Sequence, residues 1–376
     1  RRRRHTRWTS MSRGLGDVYK RQLSALAEKL QPSLEIYADV ILNPVFPEAE
    51  LERLRKITIA RIQQEKNRPN SMALRVLPRL LYGEGHPYAQ PLTGSGTEAT
   101  VNALARKDLQ DFYDTWFKPN HATLVVVGNA DLDQLVKQLN KLFGDWKAGD
   151  TPEKKLGGAR GGNGNTLYVV DKPGADQSVI FAGQLIPPRA NPDEIAIRAV
   201  NDILGGKATA RINMNLREDK GWSYGYRSRI NRNTSGAMTF SSTGQVQADK
   251  TAASMQEILG ELVAFTGDVP ATDTEVDRLK LNRARSLPGS YSTNGGFLSA
   301  IVTSDAYGLP YDYAASAGDR IDAVSTAGVV ARAQDVIDPD RLTWVVVGDL
   351  DAIEEQVRAL NYGPVEVWDA FGNKIR

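Results

Sequence analysis

The sequence predicts an α+β fold of two homologous domains, each an antiparallel sheet with helices packed on one face. Three observations lead to this prediction. One pattern occurs twice: a Val-rich segment ends in Gly-Asn or Gly-Asp and is followed by an amphipathic helix. Gly128 and Gly348 stand at equivalent positions in the two copies. The predicted strands of the second copy come in consecutive pairs with helices between the pairs. Residues 147–165, rich in Gly, Lys and Pro, separate the copies and are predicted to be a linker.

The first copy is assigned to residues 23–146. ATLVVVGN, from Ala122, predicts a buried strand, and the residues after it predict an amphipathic helix. Up to the shared glycine, this copy runs only from Leu23 to Gly128, whereas the second runs from Thr166 to Gly348. Because the first copy is about 77 residues shorter at its N-terminal end, we expect the native start of the protein to be missing.

The second copy is assigned to residues 166–376. It opens with two predicted strands, TLYVVDKP and QSVIFAGQLIP, and a helix that is interrupted at Gly205 and Gly206. Two further strands follow, WSYGYRSRI and GAMTFSSTGQV, and helical segments and the strand WVVVGD close the copy. The predicted helices run from Pro192 to about Glu218, from Asp249 to Phe265 and from Asp273 to Ser286.

The basic charge of the chain comes from residues 1–22, which hold eight of its 47 basic residues and one of its 45 acidic ones. We expect this segment to be non-native, because it has no apolar periodicity and its MSRGLGDVYKRQ resembles translated adapter sequence. In the remaining chain 44 acids outnumber 39 bases, which argues against nucleic-acid binding.

Two classes of structure are excluded by composition. No apolar run reaches the ~20 residues of a membrane span. Cysteine is absent, which excludes disulfides and thiolate chemistry. The compartment stays open, with the periplasm favoured over the cytoplasm.

Several long motifs resemble the insulinase and pitrilysin family of zinc metallopeptidases, which includes the mitochondrial processing peptidase. They are NPVFPEAELERLRK, YGEGHPYAQPLTG, DLQDFYDTWFKPNHATLVVVGN, FGDW, ILGGKATARINMNLREDKGWSYG and the closing VVVGD. The resemblance implies half of a clamshell that closes with a second half around unfolded peptides. It also implies a zinc ion held by H-x-x-E-H on one helix and by a Glu of a later helix.

The chain does not show these zinc ligands. None of its histidines, His5, His86 and His121, lies in an H-x-x-E-H, and the motif would fall upstream of Leu23. In the later helix, alignment with the family places Arg61 at the Glu ligand and Leu54 at a nearby acidic position. An arginine has no lone pair to give, so we expect no zinc in this chain and zinc in a partner half.

Three other residues have side chains of the types that bind zinc. Glu65 lies one turn beyond Arg61 and is the alternative third ligand, although it is a turn too far along the helix. His86 matches a structural loop residue of the family. His121 precedes a strand and is predicted to lie on the surface.

The stretch LREDKGWSYGYRSR carries the predicted substrate site. The resemblance implies that the non-catalytic half presents an Arg and a Tyr at seven-residue spacing, and Arg217 and Tyr224 match this pair. A helix end near Asp219 and a reversal at Gly221 would place the two side chains together. A guanidinium and a phenol are suited to holding a peptide carbonyl, and an extended substrate is expected to add to an exposed sheet edge. The alternative is a helix-end cation and an ordinary strand aromatic.

The predicted function is therefore the non-catalytic half of a zinc metalloendopeptidase, inactive alone and without catalytic residues of its own. Its expected partners are a zinc-bearing half, separate or fused, and unfolded peptides. Two alternatives stay open: a catalytic chain whose zinc segment is missing, and a structural subunit like the family's core subunits in respiratory complexes. Arg61 argues against the first, and the pair Arg217 and Tyr224 argues against the second.

Overall fold

The structure, a computed structural model, describes residues 9–11, 20–159, 161–162, 164, 166–189, 191–231 and 235–376. Most of the segment expected to be non-native, residues 1–22, lies outside these ranges. The parts described there are strands β1 (Thr9–Met11) and β2 (Lys20–Gln22), which pair antiparallel with each other. None of the described helices combines the length and the apolar character that a membrane crossing requires.

The regular secondary structure of residues 23–146 is helical. Its second helix, α2 (Glu48–Glu65), carries Glu48 and Glu50 in its first turn, where negative charge complements the helix dipole. The third, α3 (Pro69–Tyr82), begins with Pro69, at the position where a missing N–H costs nothing. The helices are α1 (Leu30–Leu42), α2 (Glu48–Glu65), α3 (Pro69–Tyr82), α4 (Glu98–Ala103), α5 (Arg106–Trp116) and α6 (Leu132–Phe143).

A six-stranded sheet forms the centre of the second part, in the order β5-β6-β4-β7-β3-β8. The sheet is mixed, so the prediction of an antiparallel sheet is wrong in one respect: β3 runs parallel to both β7 and β8. A parallel neighbour needs a long crossover, and the helices between β3 and β7 supply it. The strands are β3 (Leu167–Asp171), β4 (Gln177–Ile186), β5 (Ser223–Asn231), β6 (Met238–Gln247), β7 (Thr343–Gly348) and β8 (Val365–Trp368).

The helices of this part cover one face of the sheet, as predicted, and α3 of the first part covers the opposite face. In β7 Trp344 and Val346 enter one core, and Val345 and Val347 enter the opposite core, which α3 covers. A strand buried on both faces reads as a continuous apolar run, which explains the Val-rich sequence. The helices of this part are α7 (Glu194–Asn201), α8 (Arg211–Asn213), α9 (Thr251–Thr266), α10 (Asp273–Ser290), α11 (Asn294–Ala306), α12 (Ala317–Asp322), α13 (Thr326–Val336) and α14 (Leu350–Arg358).

Helix lengths and their order recur between the two parts. Helices α2 and α10 both contain 18 residues, and α5 and α13 both contain 11 residues. A short 3₁₀ turn follows each of the latter two, Pro119–His121 after α5 and Pro339–Arg341 after α13. The internal similarity seen in the sequence is therefore accompanied by a similar succession of helices.

Residues 122–128 are the exception to this similarity. They were predicted to form a buried strand, but they are irregular, and Leu124 and Val126 are 47% and 42% exposed. Their counterpart β7 lies between β3 and β4, which satisfy its backbone groups. No strand pairs with residues 122–128 in the part of the chain that the structure describes, and an extended segment without a neighbour forms no ladder.

Candidate functional site

The helix predicted from Pro192 to Glu218 is two helical segments that separate at the glycine pair. Helix α7 widens into a π-helical turn, Asp202–Gly206, and the chain re-enters a helix at α8, which ends in a second π-helical segment, Met214–Asp219. A Cβ on Gly205 would lie 2.7 Å from the backbone nitrogen of Ser228 in β5. The glycine is required because the helix lies directly against this strand.

Asn213 joins the interrupted helix to β5. Its buried Oδ1 accepts the N–H of Tyr226 at 3.0 Å and the guanidinium of Arg227, and its amide donates to the carbonyl of Ala208 at 2.6 Å. This contact uses a backbone donor that an added strand would need. At the opposite edge, Val367 in β8 exchanges backbone hydrogen bonds with the last residues of the chain. One backbone donor of β5 and one residue of β8 are thus already engaged, and the addition of a peptide strand to an exposed sheet edge stays a prediction.

The reversal before β5 has the predicted geometry. The π-helical segment ends at Asp219, Gly221 has φ +67°, and the Trp222 N–H donates to the Leu216 carbonyl at 3.0 Å. Positive φ is accessible to glycine at little cost. The chain therefore returns alongside the end of the helix it has just left.

Tyr224 lies in a β-bulge. Ser223 pairs with Val246 and Tyr226 with Gly244, so three steps along β5 oppose two along β6. A bulge turns a side chain away from its regular orientation, and Tyr224 is 91% exposed.

The structure brings the predicted pair together. The guanidinium carbon of Arg217 lies 5.5 Å from the ring centroid of Tyr224, within the range of a cation–π contact. The Arg217 side chain is 42% exposed, and it forms an ion pair of 3.5 Å with the neighbouring Glu218. The two side chains thus form an exposed patch that holds hydrogen-bond donors.

A groove of about 350 Å³ lies between the interrupted helix and α9, and its lining includes Asn215, Glu257 and Glu261. The Asn215 amide donates to both carboxylates, at 2.9 and 3.0 Å, and Lys220 contacts Glu257 at 2.9 Å. The hydrogen bonds from Asn215 and Lys220 lower the pKa of Glu257. Sequence reasoning missed this acidic pair, although four-residue spacing on a predicted helix places two side chains on one face.

The position expected for the third zinc ligand does not fit a zinc ion. Arg61 donates to the Thr93 carbonyl at 2.7 Å, and its Nε lies 3.1 Å from a carboxylate oxygen of Glu65. The other carboxylate oxygen of Glu65 accepts from Ser95 at 2.6 Å and from Arg75 at 2.9 Å. Leu54, at the nearby acidic position, is exposed.

Glu65 is therefore engaged rather than available as a substitute ligand. Burial raises the pKa of this carboxyl, but hydrogen bonds from Ser95, Thr93 and Arg75 prevail and leave the pKa lowered. Its charge is balanced by arginine, which a divalent cation would have to displace. Across the described ranges, no group of three or more His, Asp or Glu side chains could hold a metal ion.

Two histidines have ordinary surroundings. The His86 Nδ1 accepts the N–H of Tyr88 at 3.1 Å, and its ring stacks on Tyr82 at 5.0 Å, which fits the predicted structural role. His121 ends a 3₁₀ turn and is exposed, as predicted. His5 lies outside the described residues.

Comparison with known proteins finds the same family that the sequence motifs resemble. A family model described as the Peptidase M16 inactive domain matches residues 103–282. An uncharacterized zinc protease of Mycobacterium leprae is 27% identical over 203 residues, which are 53% of this chain and 44% of that protein. An uncharacterized zinc protease of Bacillus subtilis is 26% identical over 242 residues, 63% of this chain and 56% of that protein. The chain thus spans about half the length of these curated relatives.

The fold has been observed before. The crystal structure of a peptidase M16 inactive domain from Pseudomonas fluorescens superimposes with a TM-score of 0.78 at 23% identity, covering 88% of this chain and 77% of that one. At this identity the likeness establishes the α+β fold alone, since one fold can serve many functions.

Proposed function

We propose that this chain, which belongs to the M16 (insulinase and pitrilysin) family of zinc peptidases, is a non-catalytic half that holds extended peptide for a zinc-bearing partner half. The observation that carries the proposal is the contact between Arg217 and Tyr224, which places an exposed guanidinium and an exposed phenol side by side. These groups have the roles that the family resemblance implies for the substrate-holding half.

Both side chains can serve as hydrogen-bond donors to a peptide carbonyl. The Arg217 guanidinium offers its N–H groups in a planar fork, and the Tyr224 hydroxyl adds one further donor. The contact of Arg217 with Glu218 is exposed and long, so its replacement by a peptide costs little free energy. Aimed at a carbonyl that gains negative charge during attack, such donors stabilise the transition state more than the bound peptide.

The backbone holds this pair in place before a peptide arrives. Gly205 lies against Ser228, Asn213 is bonded to Tyr226, and the reversal at Gly221 connects the two elements. A site on packed elements loses less conformational entropy on binding than one on a flexible loop.

The zinc-bearing half is assigned to a partner because Arg61 and the engaged Glu65 do not fit zinc. We expect the purified chain to contain zinc far below one ion per chain, measured by inductively coupled plasma mass spectrometry after dialysis against zinc. One zinc per chain would support the alternative that this chain is itself catalytic.

Peptide binding tests the proposal directly. The probe is a fluorescein-labelled unstructured peptide of about 20 residues, titrated with the protein while anisotropy is recorded. Arg217→Ala is expected to weaken binding at least about tenfold, because a charge-assisted hydrogen bond is lost. Tyr224→Phe removes one neutral donor and is expected to weaken binding less.

Matched controls come from elsewhere on the surface. The Arg358 side chain, 45% exposed and paired with Glu354, resembles Arg217 in exposure and pairing, and Tyr311 is an exposed tyrosine outside the site. Arg358→Ala and Tyr311→Phe are expected to leave affinity unchanged. Equal affinity in wild type and Arg217→Ala would refute the assigned role and favour the structural alternative.

A further inference from the structure

We propose that the pocket around Arg61 and Arg68 is a binding site for a small oxyanion, either a peptide carboxylate or a phosphate group. This site lies on α2 and α3, and its existence does not depend on the role of Arg217. It occupies the place where the family resemblance leads one to expect a zinc ligand.

The charges at this pocket do not balance. One carboxylate, Glu65, faces the guanidinium groups of Arg61 and Arg75, and Arg68 lines the same pocket. The nearby Lys66 does not alter this sum, because it forms an ion pair with Glu98. The carboxylate of Glu65 is thus already paired with two guanidinium groups, Arg68 adds a third positive charge to the lining, and an anion would reduce the repulsion among them.

The positive groups differ in how far they are already used. Arg75 is buried, with 5% of its side chain exposed, and bonds to Glu65, Ser95 and the Gly96 carbonyl. The Arg61 side chain is exposed, and part of its guanidinium group faces solvent. Arg68 is exposed, and its side chain has no hydrogen bond or ion pair with any residue that the structure describes. Two guanidinium groups can therefore turn toward a ligand while the buried pair stays intact.

The pocket has suitable size and lining. Its volume is about 190 Å³, against the roughly 30 Å³ that one water occupies in the liquid, so it has space for a carboxylate or phosphate group. Besides the two arginines, Gln64, Ser71 and Thr93 contribute polar groups to its wall. Paired guanidinium groups match the planar oxygen pair of a carboxylate or phosphate.

The same features argue against a divalent cation in this pocket. A divalent cation in this pocket would face Arg61 and Arg68 and would find one anionic ligand among the lining residues, Glu65. The oxygens of that carboxylate already accept from Arg61, Arg75 and Ser95. Electrostatics therefore favours an anion over a metal at this position.

The test is isothermal titration calorimetry of the full chain at low ionic strength. The probes are inorganic phosphate, N-acetyl pentaalanine with a free carboxylate and the same peptide as its amide. We expect Arg61→Gln and Arg68→Gln each to weaken anion binding about tenfold or more, because each removes a charge-assisted contact. Arg53→Gln, an exposed arginine of α2 that pairs with Glu50, is the matched control and should bind as wild type does.

The probes also identify the source of the oxyanion. Binding of the free-carboxylate peptide but not of its amide assigns the site to a peptide carboxylate, and binding of phosphate alone assigns it to a phosphate group. Absence of binding by all three probes, or binding that both variants leave unchanged, would overturn the proposal. Circular dichroism on the same samples shows that these exposed substitutions keep the fold.

Discussion

Replacing Gly205 by alanine is expected to lower the free energy of unfolding of the protein, because this glycine lies at the contact between the interrupted helix and β5. The added Cβ would lie 2.7 Å from both the nitrogen and the Oγ of Ser228 and 2.8 Å from its Cβ. Ordinary contacts begin near 3.4 Å, so the helix and β5 must separate by about 0.7 Å. A hydroxyl can rotate away, but a backbone nitrogen in a paired strand cannot. Overpacking of this kind costs about 1–3 kcal/mol.

Gly260 provides a control of opposite sign. It lies within helix α9, and an added Cβ there would meet nothing within 4 Å. Gly260→Ala is expected to stabilise the protein by up to about 1 kcal/mol, since alanine is the better helix former. Urea unfolding followed by circular dichroism gives both free energies. A Gly205→Ala variant as stable as wild type, or stabilised like Gly260→Ala, would refute the close approach of helix and strand.

Two further predictions concern buried charge. Glu65→Ala leaves Arg75 buried without its carboxylate and is expected to lower the free energy of unfolding in urea by about 3–5 kcal/mol. Glu52→Ala, on the exposed side of α2, should change the free energy of unfolding by no more than about 0.5 kcal/mol. Equal losses in the two variants would contradict the buried pair. For Glu275, burial raises the pKa, but hydrogen bonds from Arg211 and Thr272 prevail and lower it. A lowered folded-state pKa gives stability that is present above the unfolded value near 4.5 and is lost as pH falls through the folded pKa. Glu275→Gln should therefore flatten the acid-side loss of stability, and an unchanged pH profile would contradict that linkage.

Local patterns in the sequence predicted much of the second part of the chain. Alternating and continuous apolar runs identified the strands that became β3 to β7, and Thr272 with Glu275 forms the capping box that starts α10 at Asp273 as predicted. The reversal at Gly221 and the meeting of Arg217 with Tyr224 also agree with the prediction. These features are local, because each depends on residues close together in the chain.

The errors concern partners that are distant in the chain. The parallel pairing of β3 with β7 and β8 depends on a crossover that periodicity does not encode. Residues 122–128 have the composition of a strand but no neighbouring strand among the described residues. The bulge that exposes Tyr224 depends on the register between β5 and β6. The acidic groove and the arginine pocket likewise combine side chains from separate elements.

The most direct measurement is the rate of peptide cleavage by a zinc-bearing M16 half that is active only when this chain is added. The proposed function predicts that Arg217→Ala lowers this rate at least about tenfold. The rate with Arg358→Ala should equal the wild-type rate, and the zinc content of the partner should be the same in all three samples. Equal rates with wild type and Arg217→Ala would contradict the claim that this chain holds the substrate through Arg217 and Tyr224.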